Sequence, residues 1–224
     1  IAMTIVKWAM FLAPWAVFGL MAQLVMRVGV DTVLGMSGYV GAVLLGLALL
    51  MAVYLAVVAL AGISPARFLR DAGGTLLLAF STSSSSAVMP ATIQSAKRLG
   101  VPENVGNLVV PLGATMNMAG TALYQAVAIL FLAQMSGIEL SGAQIAVIVA
   151  TLTASSIGAP GTPGVSIAIL ISVATSMGIP VEGMVIILGV DRLLDMCRTT
   201  VNVTGDIVAA VLLRGQGEAA AEPA

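Results

Sequence analysis

Asp191, Asp195, Arg198, Asn202 and Asp206 recur at steps of four, three, four and four residues inside the apolar stretch Ile186 to Leu213, IILGVDRLLDMCRTTVNVTGDIVAAVLL. At about 100° per residue, that spacing lays them along one narrow face of a helix. The other faces are mostly Leu, Val, Ile, Met and Ala, and the stretch is long enough to cross a bilayer. With Arg192 it holds five of the nineteen charges of the chain. A charge in hydrocarbon costs at least about 2.5–3.5 kcal/mol, so such residues face a polar cavity or a partner and mark a solute or ion site. The carboxylates suit cations, and the guanidinium offers a two-pronged grip on a carboxylate. A purely structural Asp195–Arg198 pair, three residues apart, is the plainer alternative. Thr199, Asn202 and Asp206 carry the polar face well past one pair.

The 224 residues are 59% hydrophobic and 8% charged, where a soluble domain carries about 25% charged residues. This is the composition of an integral membrane protein. The net charge of −1 excludes nothing by itself, but the sequence offers no basic surface for nucleic acid. The one cysteine, Cys197, excludes an internal disulfide. The absence of histidine removes His metal sites, His bases and His proton relays. An intramembrane protease therefore has no Ser–His dyad, and Asp191 and Asp195 lie beside arginines, a poor setting for a shared-proton pair. The chain opens on Ile1, directly in an apolar segment and with no signal-peptide pattern. The reading is a fragment lacking its natural N-terminal part, or a half-protein that pairs with another chain.

The elements that position the polar row read as follows. Residues 3–27 predict a first span, with Lys7 and Trp8 near its start, Pro14 kinking it and Arg27 at its end. Residues 37–62 predict a second, rich in small residues that suit close packing. A short basic amphipathic piece covers Ser64 to Arg70. Residues 74–98 predict a helical hairpin whose tip is Ser81 to Ser86, with neither arm long enough to span. Residues 105–135 predict a third span broken at GATMNMAGT, Gly113 to Thr121. Residues 142–177 predict a second hairpin with its tip at SSIGAPGTPG, Ser155 to Gly164, where two prolines and three glycines oppose a continuous helix. The polar-striped helix follows and ends at Arg214. Non-helical backbone at membrane depth survives only inside protein or along a cavity, which makes both tips re-entrant candidates. A surface serine linker and a ligand-free glycine hinge are the plainer alternatives for 81–86 and 113–121.

The expected fold is thus all-α: four transmembrane helices plus two re-entrant hairpins. Its segments are 1–63, two transmembrane helices; 64–135, the first hairpin and the broken helix; 136–213, the second hairpin and the polar helix; and 214–224, a disordered tail. Hairpin plus broken span repeats as hairpin plus polar helix, entered from opposite sides. Inverted repeats of this kind place a substrate between hairpin tips near the bilayer midplane. Lys7, Arg67, Arg70, Lys97, Arg98 and Arg214 fall on one side, with only Arg27 opposite beside Asp31, Glu139 and Glu182. The positive side is cytoplasmic, so the serine tip enters from the cytoplasm, the second tip from outside, and the C-terminus is cytoplasmic.

STSSSS, NMAGT, SSIGAPGTPG and DMCRTTVNVTGD, in this order and spacing, resemble the glutamate transporter family, the dicarboxylate/amino acid:cation symporters. The resemblance covers essentially the whole chain and corresponds to the C-terminal half of that family, without the first four helices. It implies an elevator-type secondary transporter in the cell's inner membrane, a homotrimer when complete, that carries an acidic amino acid with sodium and is not an enzyme. It assigns the substrate ammonium to Asp195 with Thr199. It gives the α-carboxylate to Asn202 and the backbone around Ser85, and the side-chain carboxylate to Arg198 and Thr121. Gly161 and Thr162 become the cover from outside. It assigns one sodium to Asp206 with the carbonyls of Gly113, Asn117 and Asn202, and a second to the carbonyls of Thr115, Ser156, Ile157 and Ala159. Oxygen-only ligation suits a hard cation. The chain departs from the family at Ala119, where NMDGT is usual, so the number of sodium ions is open. It also lacks an arginine at Ser83 or Met196. Arg198 favours aspartate or glutamate over a neutral amino acid. A C4-dicarboxylate or proton-coupled carrier is the alternative, and the former has no ammonium for Asp195.

Overall fold

The computed structural model describes Trp15, Gly19, Ala22, Met26, residues 36–157, Gly161, residues 164–181 and residues 184–215. The first span predicted at 3–27, with Lys7, Trp8, Pro14, Arg27 and Asp31, lies outside the described residues apart from four positions. So do Ala159, Thr162, Glu182 and the tail from 216.

Eight helices and no strand occur among the described residues. They are α1 (Ser37–Leu60), α2 (Pro65–Thr82), α3 (Ser85–Arg98), α4 (Glu103–Met116), α5 (Ala119–Met135), α6 (Gly142–Ser156), α7 (Val165–Ser176) and α8 (Met184–Leu212). Among the described residues, two stretches are long and apolar enough to cross a membrane: α1, and α4 with α5 taken together, Glu103–Met135. In α1, Tyr39, Val43 and Leu47 are buried at steps of four, while Leu45, Leu49, Val53 and Leu60 are exposed. That second apolar face has no partner among the described residues, as expected of a helix in lipid.

Local chemistry sets the ends of the helices. Ser64 caps α2 by accepting from the Arg67 N–H, with Pro65 in the first turn. The helix then runs unbroken through Gly73 and Gly74 to Thr82. The amphipathic piece 64–70 and the hairpin arm predicted from 74 are therefore one helix, because buried Ala72 and Thr75 pack it continuously. Ser83 takes a left-handed backbone, φ 52°, and ends α2. Ser84 caps α3 through the Ala87 N–H. The two arms run antiparallel: Thr75 bonds to the Ala91 carbonyl and to Ser95, and Arg98 bonds to the Asp71 carbonyl. A capping box of Ser141 and Gln144 starts α6, which packs against α7.

The broken helix differs from expectation. The interruption is Asn117 and Met118 alone, and Gly113 and Gly120 are helical. Their role is close approach. A methyl group on Gly113 would lie 2.6 Å from Asp206 Oδ1, and one on Gly120 would lie 2.9 Å from the Arg198 carbonyl. These glycines let α4 and α5 sit against α8.

Helix α8 is the axis of the molecule and packs on α1, α2, α3, α4 and α5. The α6–α7 pair packs on α5. Two apolar clusters form. One gathers Tyr39, Tyr124, Leu132, Leu152, Leu170, Ile187 and Leu194. The other gathers Phe68, Ala72, Leu76, Val105, Val203, Ile207 and Val211. The polar row of α8 crosses from one to the other.

Candidate functional site

Asp191, Asp195, Arg198, Asn202 and Asp206 are all buried, Arg198 and Asp206 to 1% exposure. None of the row faces outward. The guanidinium is held on three nitrogens. Nη1 donates to Asp191 Oδ1 at 3.0 Å, Nε to Asp195 Oδ1 at 3.0 Å, and Nη2 to Ser166 Oγ at 2.5 Å. Its carbon lies 4.2 Å from the centre of the Tyr124 ring, a cation–π contact. Removing one partner of such a buried pair costs about 3–5 kcal/mol, because the other charge is left unpaired.

Below the guanidinium, Asn202 reads the helix break. Its Oδ1 accepts from the Gly120 N–H at 2.8 Å and its Nδ2 donates to Thr121 Oγ1 at 2.9 Å. One turn further on, Asp206 Oδ1 accepts from Asn117 Nδ2 at 3.1 Å. That amide also reaches the Asn202 carbonyl at 3.4 Å. Asp206 has no cationic partner among the described residues.

The two tips meet over this row. Ser84 Oγ donates to the Gly161 carbonyl at 2.9 Å, and the Ser86 N–H approaches it at 3.4 Å. Gly161 lies so close to Ser85 Oγ that any side chain there would collide with it. Beneath the contact is a cavity of about 30 Å³ bordered by Ser83, Ser85, Thr121, Gly161, Ser166, Asp195, Arg198, Thr199 and Asn202. That holds a water or two.

The structure thus gathers Ser85, Thr121, Gly161, Asp195, Arg198, Thr199 and Asn202 around one space, and Thr162 lies outside the described residues. Gly113, Asn117, Asn202 and Asp206 form a second group on the α4–α5 break. Ser156 and Ile157 reach a neighbouring hollow of about 130 Å³ beside Asn117 and Ala119. Thr115 does not border it; its hydroxyl donates to the Leu112 carbonyl. Among the described residues, no group of three acidic or sulfur side chains stands ready for a metal ion. The Asn117 amide bridges the Asp206 carboxylate and the Asn202 carbonyl, oxygens of the kind that hard cations take.

Sequence reasoning missed four participants. Asp191 lies on the striped face but was given no role, although it grips Arg198. Ser166 falls just past the tip of the second hairpin, among apolar residues, with no role assigned from the sequence. Tyr124 supplies the aromatic face. Gln125, wholly buried, donates to the Ser166 carbonyl at 2.8 Å and accepts from Ser156 Oγ at 3.0 Å. The signal for Gln125 was present, a lone amide within ALYQAVAILFLA; for Ser166 there was none.

Comparison with known proteins gives the family of the chain. The chain is 39% identical over 210 residues to the proton/sodium-glutamate symport protein of Bacillus subtilis, covering 93% of the chain and 49% of the relative. It is 39% identical over 202 residues to the proton/glutamate-aspartate symporter of Escherichia coli, covering 90% and 46%. It is 45% identical over 144 residues to excitatory amino acid transporter 3 of Mus musculus, covering 64% and 28%. The chain spans about half the length, or less, of these relatives. The family model described as the sodium:dicarboxylate symporter family matches residues 1–215, and the chain belongs to that family.

Proposed function

We propose that this chain forms the substrate- and ion-binding part of a sodium-coupled symporter for aspartate or glutamate, working by an elevator motion in the inner membrane. The observation that carries the proposal is the buried guanidinium of Arg198, steadied by two carboxylates, at the wall of a cavity that two loop tips close.

In this reading Asp195, with Thr199, takes the ammonium group. Asn202 and the backbone at Ser85 take the α-carboxylate, and Arg198 and Thr121 take the side-chain carboxylate. The loop through Gly161 and Thr162 is the outer cover, and the serine tip is the inner one. Coupling follows from charge. The row holds three buried carboxylates and one buried guanidinium, so it is short of positive charge before an anionic amino acid enters it. Cations must enter with it, since uncompensated charge in a low-dielectric interior is costly. Asp206 with the carbonyls of Gly113, Asn117 and Asn202 takes one sodium. The carbonyls of Thr115, Ser156, Ile157 and Ala159 take a second. Ala119 leaves no carboxylate for another at the break. The complete protein is a homotrimer in the bilayer, with the C-terminus in the cytoplasm.

A proton in place of one sodium is the second reading, favoured because two of the relatives above carry "proton" in their names. The experiment is aspartate binding and uptake by the reconstituted protein, with whatever sequence accompanies this chain in the cell. Sodium is compared with choline, each with and without a pH gradient. Tighter binding and uptake in sodium are expected. Uptake driven by the pH gradient in choline selects the proton reading, and equal binding under all conditions overturns coupling.

A further inference from the structure

We propose that Ser166 is a further ligand-contacting residue: its hydroxyl accepts from Arg198 and donates its own proton to the side-chain carboxylate of the bound amino acid. The inference rests on the acidic-amino-acid reading and adds to it a side chain from the α6–α7 pair.

The argument begins with the guanidinium. Nε and Nη1 each face an aspartate of α8 itself, so a carboxylate approaching either meets like charge. Nη2 alone faces a neutral group on another helix, the hydroxyl of Ser166. A hydroxyl has one donor hydrogen and two acceptor lone pairs. One lone pair of Ser166 Oγ takes the Arg198 N–H, while its hydrogen has no acceptor among the described residues. Ser166 is 6% exposed and borders the cavity together with Arg198 and Thr121. The place where Nη2 and this free O–H converge is where an acidic side chain finds two donors that neither aspartate occupies.

The hydroxyl is also held in position. The Ser166 carbonyl accepts from Gln125 Nε2, and the other end of that amide accepts from Ser156. One wholly buried side chain therefore ties Ser156 at the end of α6 to Ser166 at the start of α7. Ligands without a side-chain carboxylate gain nothing from this hydroxyl.

The test is L-aspartate binding to Ser166→Ala and Ser166→Thr in the reconstituted protein, with sodium binding in the absence of amino acid measured alongside. Ser166→Ala is expected to weaken aspartate by roughly 10- to 100-fold, the size of a hydrogen bond to a charged group. Sodium binding alone stays unchanged, and Ser166→Thr, which keeps the hydroxyl, retains most of the affinity. Unchanged aspartate affinity in Ser166→Ala overturns the proposal, as does an equal loss of sodium binding, which marks a merely structural role. Should Ser166→Ala fail to fold, Ser166→Cys, close in shape and a weak donor, is read on the same two axes. A wild-type protein that binds no aspartate in sodium defeats the functional reading instead.

Discussion

Arg198 is the residue on which the site turns, and its surroundings make its loss readable in two ways. Asp191 and Asp195 both spend an oxygen on it, at 3.0 Å each. Arg198→Cys leaves two buried carboxylates facing each other with no cation. A stability loss of about 3–5 kcal/mol is expected in thermal unfolding without ligand. In binding, Arg198→Cys loses aspartate and glutamate far more than serine, because only the acidic ligands need the guanidinium; an unchanged preference removes that role. Asp206→Asn tests the ion separately. Asp206 holds no part of the guanidinium, so the substitution spares sodium-free binding and abolishes the gain that sodium gives. Much of this row was legible. The steps of three and four put Asp195, Arg198, Asn202 and Asp206 on one face, and the structure buries that face. Which carboxylate would hold which nitrogen was not, because it depends on side-chain rotamers and on Ser166 arriving from a helix thirty-two positions away.

At the scale of helices, small residues separate those that only permit the backbone from those that permit contact. The nine-residue interruption expected at 113–121 is two residues long, since Gly113 and Gly120 serve helix–helix approach rather than a break. Composition alone cannot make that distinction: glycine that frees the backbone and glycine that admits a neighbour read identically. The structure makes it testable. Gly113→Ala presses a methyl group against Asp206 and is expected to cost about 1–3 kcal/mol in thermal unfolding, as overpacking does. Gly73→Ala, in mid-α2 with nothing within 4 Å, is expected to stabilise by about 0.5–1 kcal/mol. Equal effects at the two positions contradict the close packing of α4 on α8. A related difference holds at 64–82, where the amphipathic piece 64–70 and the hairpin arm from 74 read as separate segments and the buried pairing of Thr75 with Ser95 holds one continuous helix.

In the whole molecule, the buried polar row lies between two apolar clusters, and the charges sort towards opposite ends. Arg214 reaches back to the Ala61 carbonyl, so the end of α8 meets the end of α1. Lys97 pairs with Glu103, and Arg67 and Arg70 with Asp71, on exposed surface near the same cluster. Met36, Leu132, Ile179 and Met184 gather in the other cluster, with Glu139 exposed a few residues beyond α5. The all-helical class and the order of motifs were legible from apolar runs and their interruptions. The meeting of Ser84 with Gly161, 77 positions apart, was not, because nothing local to either tip encodes its partner. The expected orientation follows from the basic excess at the α1–α2 end and is open to direct measurement. In a Cys197→Ala background, Arg70→Cys and Glu139→Cys are treated in intact cells with a membrane-impermeant maleimide. Glu139→Cys reacts from outside, while Arg70→Cys reacts only after lysis. The reverse pattern inverts the topology and with it which tip is the outer gate. Reaction of both from outside means that α1 and the α4–α5 unit do not separate these two ends across the bilayer, and an alternating-access cavity between the tips then has no two sides to alternate between.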